Sequence, residues 1–363
     1  MATTHRESNS DAAAPAVVVE IDTIFRDAMK RRASDILISQ GAPIAFRIKD
    51  EIMQVRMAPL SGEAAKKLVY EMLTPDQVAR FERDLELDFS ITYEGKHRFR
   101  GNVFRQRGAV GCALRLIPSQ IPTMEELKLP PIVRELALRD QGLILVTGAT
   151  GHGKSTTQAA MINLINSTRR QHVITIEDPV EFIHPNKLSI IEQREVGEDT
   201  RSFAEALKHV LRQNPDVVLV GEMRDLESIS SALTAAETGH LVISTLHTND
   251  SVSAINRLID VFPPHQQGQM RVQLSMVLVG VLAQRLVPTA DASALLLCTE
   301  VLMNTSAVGN LIREGKVHQL YTVMETHQKD GMVTMDMALK ELYLTGAITL
   351  EAAKSRMKNP GQI

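Results

Sequence analysis

The sequence is poor in aromatic residues and in cysteine, and each shortage narrows what the protein can do. Aromatic residues make up 4% of its 363 residues and tryptophan is absent, so the stacking platforms of single-stranded nucleic-acid binders are scarce. The two cysteines, Cys112 and Cys298, lie in apolar runs and form no C-x-x-C pair, which excludes a zinc site of four thiolates. A net charge of -3 gives no general basic surface for nucleic acid or lipid head groups. It does not exclude a local basic patch.

Long hydrophobic runs are also missing. The most apolar stretch, Leu274–Ala283, is interrupted by Ser275 and Gly280 and is far shorter than the roughly 20 residues that a membrane-spanning helix needs. No apolar segment of a secretory signal follows the first methionine. We therefore expect a cytoplasmic protein that does not insert directly into a membrane.

Composition and periodicity divide the chain into a tail and two domains. Residues 1–18 are polar and small, show no periodicity and are predicted to be a disordered tail. Short strands and helices over residues 19–117 predict an α+β domain. Two prolines in residues 118–123 predict a stiff linker about which the domains can rotate. Over residues 124–363, apolar strands alternate with helices, which is typical of an α/β fold with a mostly parallel sheet covered on both faces.

Three segments of the second domain carry more specific predictions. The sequence predicts a helix over Glu125–Asp140 and a short pair of strands near residues 188–193. After Pro264 we expect a mainly helical C-terminal part that contains one apolar strand, Ala294–Val301.

A glycine loop between a strand and a helix is the strongest motif in the chain. Residues 148–155 fit G-x-x-x-x-G-K-[ST] in full, with an apolar strand before them and a helix after them. Such a loop points successive backbone N–H groups at phosphate oxygens, at the positive end of the helix dipole. Lys154 is expected to reach the β- and γ-phosphates of ATP and Ser155 to ligate Mg²⁺, whereas His152 is expected to point to solvent. The predicted nucleotide site consists of Gly148, Thr150, Gly151, Gly153, Lys154, Ser155 and Thr156.

Two carboxylates and a histidine follow later apolar strands. Because parallel strands carry ligand sites at their carboxyl ends, Glu181, Glu222 and His247 are expected to meet beside the nucleotide. Glu222 would contact Mg²⁺ or the catalytic water, and Glu181 would polarise the attacking water. A neutral His247 could sense the γ-phosphate. The alternatives are exposed strand-end carboxylates and a structural histidine.

Arginines are concentrated in the first domain. Arg100 and Arg107 lie in a predicted hairpin, and Arg115 follows in the next strand. Phosphoryl transfer needs positive charge in the transition state, and an arginine delivered from outside the phosphate-binding domain can supply it. These arginines could act in cis across the linker or in trans from a neighbouring subunit. The alternative is a solvated strand face.

Taken together, these motifs resemble the secretion and type IV pilus ATPases. The resemblance extends over nearly everything after the tail and is greatest to the short retraction ATPases of type IV pili. Extension-type relatives are longer and usually carry a four-cysteine zinc motif, which this sequence lacks. The matching signatures are the phosphate loop 148–155, an aspartate box over 174–181, an atypical Walker B motif over 216–225, a histidine box over 234–248, and the segments 193–197 and 211–216.

The resemblance carries expectations for fold, assembly and activity. It implies a PAS-like domain followed by a RecA-like P-loop domain, in a homohexamer whose N-terminal domains pack on the next subunit's RecA-like domain. That arrangement favours the trans reading of Arg100, Arg107 and Arg115, and the resemblance supports catalytic roles for Glu181 and Glu222, with His247 as the sensor. The implied function is an ATP- and Mg²⁺-dependent motor for pilus retraction, in which pilin is disassembled for twitching motility. It would act through an inner-membrane platform protein and associate peripherally with that membrane through the pilus machinery.

One segment departs from the family pattern and keeps alternatives open. Residues 307–314 match the family's Ala-Ile-Arg-Asn-Leu-Ile-Arg-Glu, but Gly309 replaces its first arginine, which removes a charge and lowers helix propensity. An accessory paralogue with low intrinsic turnover, working beside another ATPase, is therefore one alternative. A ring-shaped nucleic-acid translocase is another, but the low aromatic content argues against it and no nucleic-acid partner is expected.

Overall fold

The chain forms two compact units, Met1–Ser119 and Gln120–Ile363, each with its own hydrophobic core. The structure is a computed structural model that describes residues 20–49, 51–95, 97–117 and 120–363. The predicted tail and the first two residues of the predicted linker, Pro118 and Ser119, lie outside the described residues.

In the part of the first unit that the structure describes, three helices accompany a six-stranded antiparallel sheet. Its elements are α1 (Ile21–Lys30), β1 (Asp35–Ile38), β2 (Ala45–Ile48), β3 (Glu51–Gln54), α2 (Gly62–Tyr70), α3 (Pro75–Asp84), β4 (Glu86–Tyr93), β5 (His97–Gln106) and β6 (Ala109–Leu116). The strand order is β3-β2-β1-β6-β5-β4. Phe25 of α1 stacks on Phe99 of β5 with ring centroids 4.5 Å apart, so an aromatic pair joins helix and sheet in the core.

The edge strand β3 was not predicted. All four of its residues are exposed, so it shows none of the alternation that marks a half-buried strand. It pairs with β2 in antiparallel register, from Ala45 opposite Gln54 to Ile48 opposite Glu51.

The second unit is an α/β domain. Its elements are α4 (Ile132–Ala137), β7 (Gly142–Thr147), α5 (Lys154–Thr168), β8 (His172–Glu177), β9 (Ile190–Glu195), α6 (Phe203–Val210), β10 (Val217–Val220), α7 (Leu226–Glu237), β11 (Leu241–Leu246), α8 (Ser251–Asp260), α9 (Pro264–Val277), β12 (Leu278–Pro288), β13 (Leu295–Met303), α10 (Ser306–Arg313), α11 (Leu320–Thr326), α12 (Met335–Leu344) and α13 (Leu350–Lys354). Over the described ranges, no helix combines the length and the apolar character needed to cross a membrane.

Its sheet has the order β13-β12-β7-β11-β10-β8-β9 and is parallel except for the pairing of β12 with β13. Every residue of β7, β10 and β11 is buried, which explains why these strands are continuous apolar runs rather than alternating ones. The predicted fold class, an α/β domain with a phosphate loop preceded by a smaller α+β domain, is confirmed.

The prediction of a helix over Glu125–Asp140 is wrong. Only Ile132–Ala137 is helical, and Lys128 adopts a positive φ of 55°. Pro130 and Pro131 separate the two halves of the predicted helix, because a proline ring excludes the helical conformation of the residue before it.

Two further strand predictions need correction. Residues 188–193 do not form a pair of strands, since one strand, β9, pairs in parallel with β8 at the edge of the sheet. After Pro264 there are two strands rather than one, because Leu278–Pro288 forms β12 between β7 and β13. An apolar run of this length is compatible with a buried strand or a buried helix. Here it forms a strand because it pairs with β7 on one side and with β13 on the other.

A close approach of two strands in the first unit gives a stability prediction. Gly101 of β5 faces Phe89 of β4, and a Cβ there would lie 2.2 Å from the Phe89 ring and 2.9 Å from Leu114. We expect Gly101→Ala to lower the free energy of unfolding of this unit by about 2–3 kcal/mol, because the core has no room for the methyl group. Urea unfolding followed by circular dichroism measures the effect.

The control is Gly268→Ala in α9, where nothing lies within 4 Å of the added methyl group. It should leave stability unchanged or raise it by up to about 1 kcal/mol through helix propensity. An unchanged transition for Gly101→Ala would show that the Phe89 ring moves aside and that the approach is not limiting.

Candidate nucleotide site

The loop between β7 and α5 has the backbone shape of a phosphate cradle. Gly148, Gly151 and Gly153 have φ angles of 150°, 80° and 78°, a region that favours glycine. A Cβ at Gly148 would also lie 2.6 Å from the carbonyl oxygen of Gln284, so only glycine fits there. Since α5 begins at Lys154, the loop ends at a helix N-terminus, where an anion is stabilised.

The lysine of this loop is buried against the loop itself. Lys154 Nζ donates to the carbonyl oxygens of Gly148 at 2.9 Å and Ala149 at 3.2 Å. Burial lowers the pKa of the Lys154 ammonium below its usual value, while the carboxylates of Glu181 and Glu222 act in the opposite direction. Both predicted catalytic carboxylates therefore lie within electrostatic range of the phosphate-binding lysine.

The other predicted residues of the phosphate loop differ in exposure. Ser155 and Thr156 are half-buried in the first turn of α5, and Thr150 is exposed at the tip of the loop. His152, expected to point to solvent, is half-buried, and its Nδ1 atom is buried without a hydrogen-bond partner within the described ranges.

The sheet order brings the predicted strand-end residues together. β7, β11, β10 and β8 are consecutive parallel neighbours, so their carboxyl ends lie at one edge of the sheet. The phosphate loop follows β7, His247 follows β11, Glu222 comes just after β10, and the exposed Glu181 lies on the loop after β8. Four segments that are far apart in the chain thus meet at this edge.

Both oxygens of the Glu222 carboxylate are engaged. Oε2 lies 3.2 Å from Nε2 of His247, and Oε1 accepts from Nε of Arg224 at 2.7 Å. Arg224 was missed by the sequence reasoning. Its signal was its position two residues after Glu222 within the Walker B segment.

A threonine at the end of β7 ties the phosphate-loop strand to the His247 segment. The buried hydroxyl of Thr147 accepts the backbone N–H of Thr248 at 3.0 Å and lies 2.6 Å from the Thr248 carbonyl oxygen, to which it donates. Its Oγ1 is also 2.7 Å from the Thr248 hydroxyl. This residue was also missed, although its place as the last strand residue before the loop could have indicated it.

The three predicted arginines do not form one group. Arg100 of β5 and Arg115 of β6 stand directly opposite each other, and both are exposed. Arg115 donates from Nε to Asp35 at 2.9 Å, which fixes its guanidinium. Arg107 lies in the turn between β5 and β6, with a positive φ of 49°, seven residues along the chain from Arg100. The structure thus pairs Arg100 with Arg115 and places Arg107 at the other end of the hairpin.

Comparison with known proteins gives close and nearly full-length matches. The type IV pilus retraction ATPase PilT of Pseudomonas aeruginosa is 42% identical over 342 residues, which is 94% of this chain and 99% of PilT. The type IV pilus ATPase PilU of the same organism is 43% identical over 335 residues, covering 92% of this chain and 88% of PilU. A crystal structure of the pilus retraction motor PilT with bound ADP matches with a TM-score of 0.90 and 46% identity, covering 95% of this chain and 99% of that one.

These relatives agree with a family match that spans most of the sequence. The family described as type II/IV secretion system protein matches residues 10–344. The chain therefore belongs to the type II/IV secretion system protein family.

Proposed function

We propose that this protein is an ATP-hydrolysing motor that drives retraction of type IV pili. The observation that carries the proposal is the complete phosphate loop at the same sheet edge as Glu181, Glu222 and His247. Relatives that cover nearly the whole chain are named as pilus retraction ATPases, and one of them was crystallised with ADP. The same site in this chain would bind ATP.

The phosphate loop would bind the nucleotide through its backbone. Its N–H groups would receive the phosphates at the N-terminus of α5, and Lys154 would exchange the carbonyls of Gly148 and Ala149 for β- and γ-phosphate oxygens. Ser155 and Glu222 would hold Mg²⁺, which fits their chemistry because both offer oxygen donors beside Lys154. When bound, the ion would neutralise charge on the phosphates.

The two carboxylates and the histidine would have different roles in hydrolysis. Glu181, exposed at the sheet edge, would polarise the attacking water. When ATP binds, His247 would leave Glu222 and contact the γ-phosphate instead. This exchange would free Oε2 of the Glu222 carboxylate. In this arrangement the presence of the γ-phosphate determines whether Glu222 is available.

The arginines of the first domain would complete the site in trans, in a homohexamer. Arg100 and Arg115 stand directly opposite each other, and of these two only Arg115 pairs with Asp35, so a phosphate bound at Arg100 would offset the repulsion that remains. Arg107 lies seven residues from Arg100, about 23 Å at 3.3 Å per strand residue, so one γ-phosphate cannot contact both. We therefore assign the phosphate contact to Arg100 and Arg115.

Hydrolysis would be converted into motion between domains. We propose that residues 19–117 and 124–363 rotate about the linker 118–123 as nucleotide is bound and released. The ring would act on an inner-membrane platform protein at the pilus base, so that pilin is withdrawn from the pilus. Its place would be the cytoplasmic side of the pilus machinery, where ATP is available, with peripheral association to the inner membrane.

An accessory role beside a second, paralogous ATPase is the other candidate. PilT and PilU match this chain almost equally, at 42% and 43% identity, so overall similarity does not separate them. Gly309 is buried where α10 packs on α9, and a Cβ there would lie 3.3 Å from the carbonyl oxygen of Ser275. The larger arginine of the retraction family would have to displace this contact, which favours a distinct role for the segment.

The rate of ATP hydrolysis per subunit distinguishes the two candidates. We expect the specific rate to rise with protein concentration to a plateau, because the sites are completed between subunits. Glu222→Gln should lower kcat on the order of a hundredfold or more, and Lys154→Ala should abolish turnover. Glu325→Gln, on the exposed side of α11, is the matched control and should change neither.

Three results would contradict this account. A rate near background at every concentration, with ATP still bound, would favour the accessory subunit. Full turnover in Lys154→Ala would show that ATP is not bound at the proposed site. Stimulation of turnover by single-stranded DNA or RNA would favour a nucleic-acid translocase.

The trans assignment of the arginines predicts complementation between two inactive variants. We expect Arg100→Ala to lower kcat on the order of a thousandfold, and Arg107→Ala to leave it within about twofold. In rings mixed from Arg100→Ala and Glu222→Gln subunits, roughly a quarter of the sites combine an intact glutamate with an intact arginine, so activity should return. Steady-state ATP hydrolysis of co-purified mixed rings measures this.

Arginines acting in cis would give no recovery on mixing. Loss of turnover in Arg107→Ala with full activity in Arg100→Ala would assign the phosphate contact to the other end of the hairpin.

A further inference from the structure

The loop that carries Glu181, residues 178–184, is held by side chains of β8 and of the edge strand β9. Three of its backbone N–H groups donate to polar side chains of β8 and β9. The pairs are Val180 with Glu195 Oε2 at 3.1 Å, Glu181 with Glu177 Oε2 at 3.4 Å, and His184 with Gln193 Oε1 at 2.8 Å.

Gln193 is the centre of this arrangement. Its Oε1 atom accepts the N–H of His184, and its Nε2 atom donates to the carbonyl oxygen of Phe182 at 2.8 Å. The same Nε2 lies 3.2 Å from Oε1 of Glu177 and donates to it. One amide therefore fixes both peptide groups next to Ile183 and links them to the carboxylate that contacts the Glu181 backbone.

Glu177, the last residue of β8, connects Gln193 with the backbone of Glu181. Its Oε1 atom also accepts the hydroxyl of Thr175 at 2.7 Å, so both of its oxygens have donors. Burial raises the pKa of the Glu177 carboxyl, and the hydroxyl and amide donors oppose that effect. A shielded carboxylate at the end of β8 is therefore held by donors from both strands.

The side chain of Glu181 has no such support. Within the described ranges, no hydrogen bond or ion pair reaches its carboxylate, which is exposed. Its position beside Lys154 is therefore determined by the loop backbone, and the loop backbone is fixed by Gln193, Glu177 and Glu195. A displacement of about 1 Å in a reacting group can cost on the order of a hundredfold in rate.

We propose that Gln193 is the positioning residue for Glu181, holding the loop so that the Glu181 carboxylate stays at the phosphate-loop edge. The side-chain amide of Gln193 is occupied by His184, Phe182 and Glu177, so we assign it no contact with the nucleotide. The inference rests on the proposed function, in which Glu181 polarises the attacking water, and it assigns a role to the Gln193–Gly197 segment that the motif alone does not explain.

The test is a comparison of kcat with KM in assembled rings. Gln193→Ala should lower kcat roughly ten- to a hundredfold and leave KM for ATP and the affinity for ADP within about twofold, because the phosphate loop is untouched. Gln193→Met keeps the side-chain volume but removes the hydrogen bonds, and it should lower kcat as much as Gln193→Ala does. This variant distinguishes the loss of hydrogen bonds from a packing defect. The control is Glu192→Ala on the same strand, which removes an exposed carboxylate and its contact with His172 at the far end of β8 from the loop, and should change neither constant.

A double mutant separates positioning from other roles. If Gln193 acts only through Glu181, Gln193→Ala should not lower kcat further in a Glu181→Gln background. A further loss as large as in the native background would overturn the inference, as would a rise in KM without a fall in kcat. If Glu181→Gln retains full kcat while Glu222→Gln does not, the proposed role of Glu181 fails and the inference with it, while the ATPase assignment stands.

Discussion

Parallel pairing of β7, β11, β10 and β8 is the constraint on which the rest of the site depends. It aligns the carboxyl ends of four strands at one edge, so that a phosphate loop, two glutamates and a histidine from distant segments become neighbours. The pairing is held by burial, since every residue of the three central strands is enclosed. A slip in register would move the loop away from its carboxylates and destroy the site at once.

Polar contacts between the loops convert this alignment into a defined geometry. The Thr147 hydroxyl holds the His247 segment to the phosphate-loop strand, Glu222 joins His247 with Arg224, and Gln193 fixes the loop of Glu181. The contacts of Thr147 with Thr248 and of Glu222 with His247 connect segments from different strands. The contact of Glu222 with Arg224 lies within one loop, and Gln193 reaches the Glu181 loop from β9. A γ-phosphate that displaces one of these contacts would therefore be sensed across the whole edge, which suits a motor that must couple hydrolysis to movement.

The chain carries every residue of the proposed hydrolysis site, and its C-terminal segment departs from the family pattern at Gly309. The carboxylates, lysine and histidine are all present, and the relatives named PilT and PilU match equally well. Gly309 permits α10 to approach the end of α9 closely, a contact that a larger residue would disturb. The difference between a retraction motor and its accessory paralogue would then lie in how force is passed on and not in the chemistry.

The sequence alone determined the phosphate loop, the alternation of strands and helices, and the positions of Glu181, Glu222 and His247, because these depend on local spacing and on apolar runs. It failed at Glu125–Asp140, where two prolines overrode a helical pattern, and at Leu278–Pro288, where pairing with β7 and β13 decided for a strand. Only the tertiary structure brought Thr147 to Thr248 and Gln193 to the Glu181 loop, since these partners share no local pattern. Arg224, by contrast, lies two residues after Glu222 and was within reach of sequence reasoning. The pairing of Arg100 with Arg115, and the separation of Arg107, likewise follow from strand register, which residue spacing does not encode.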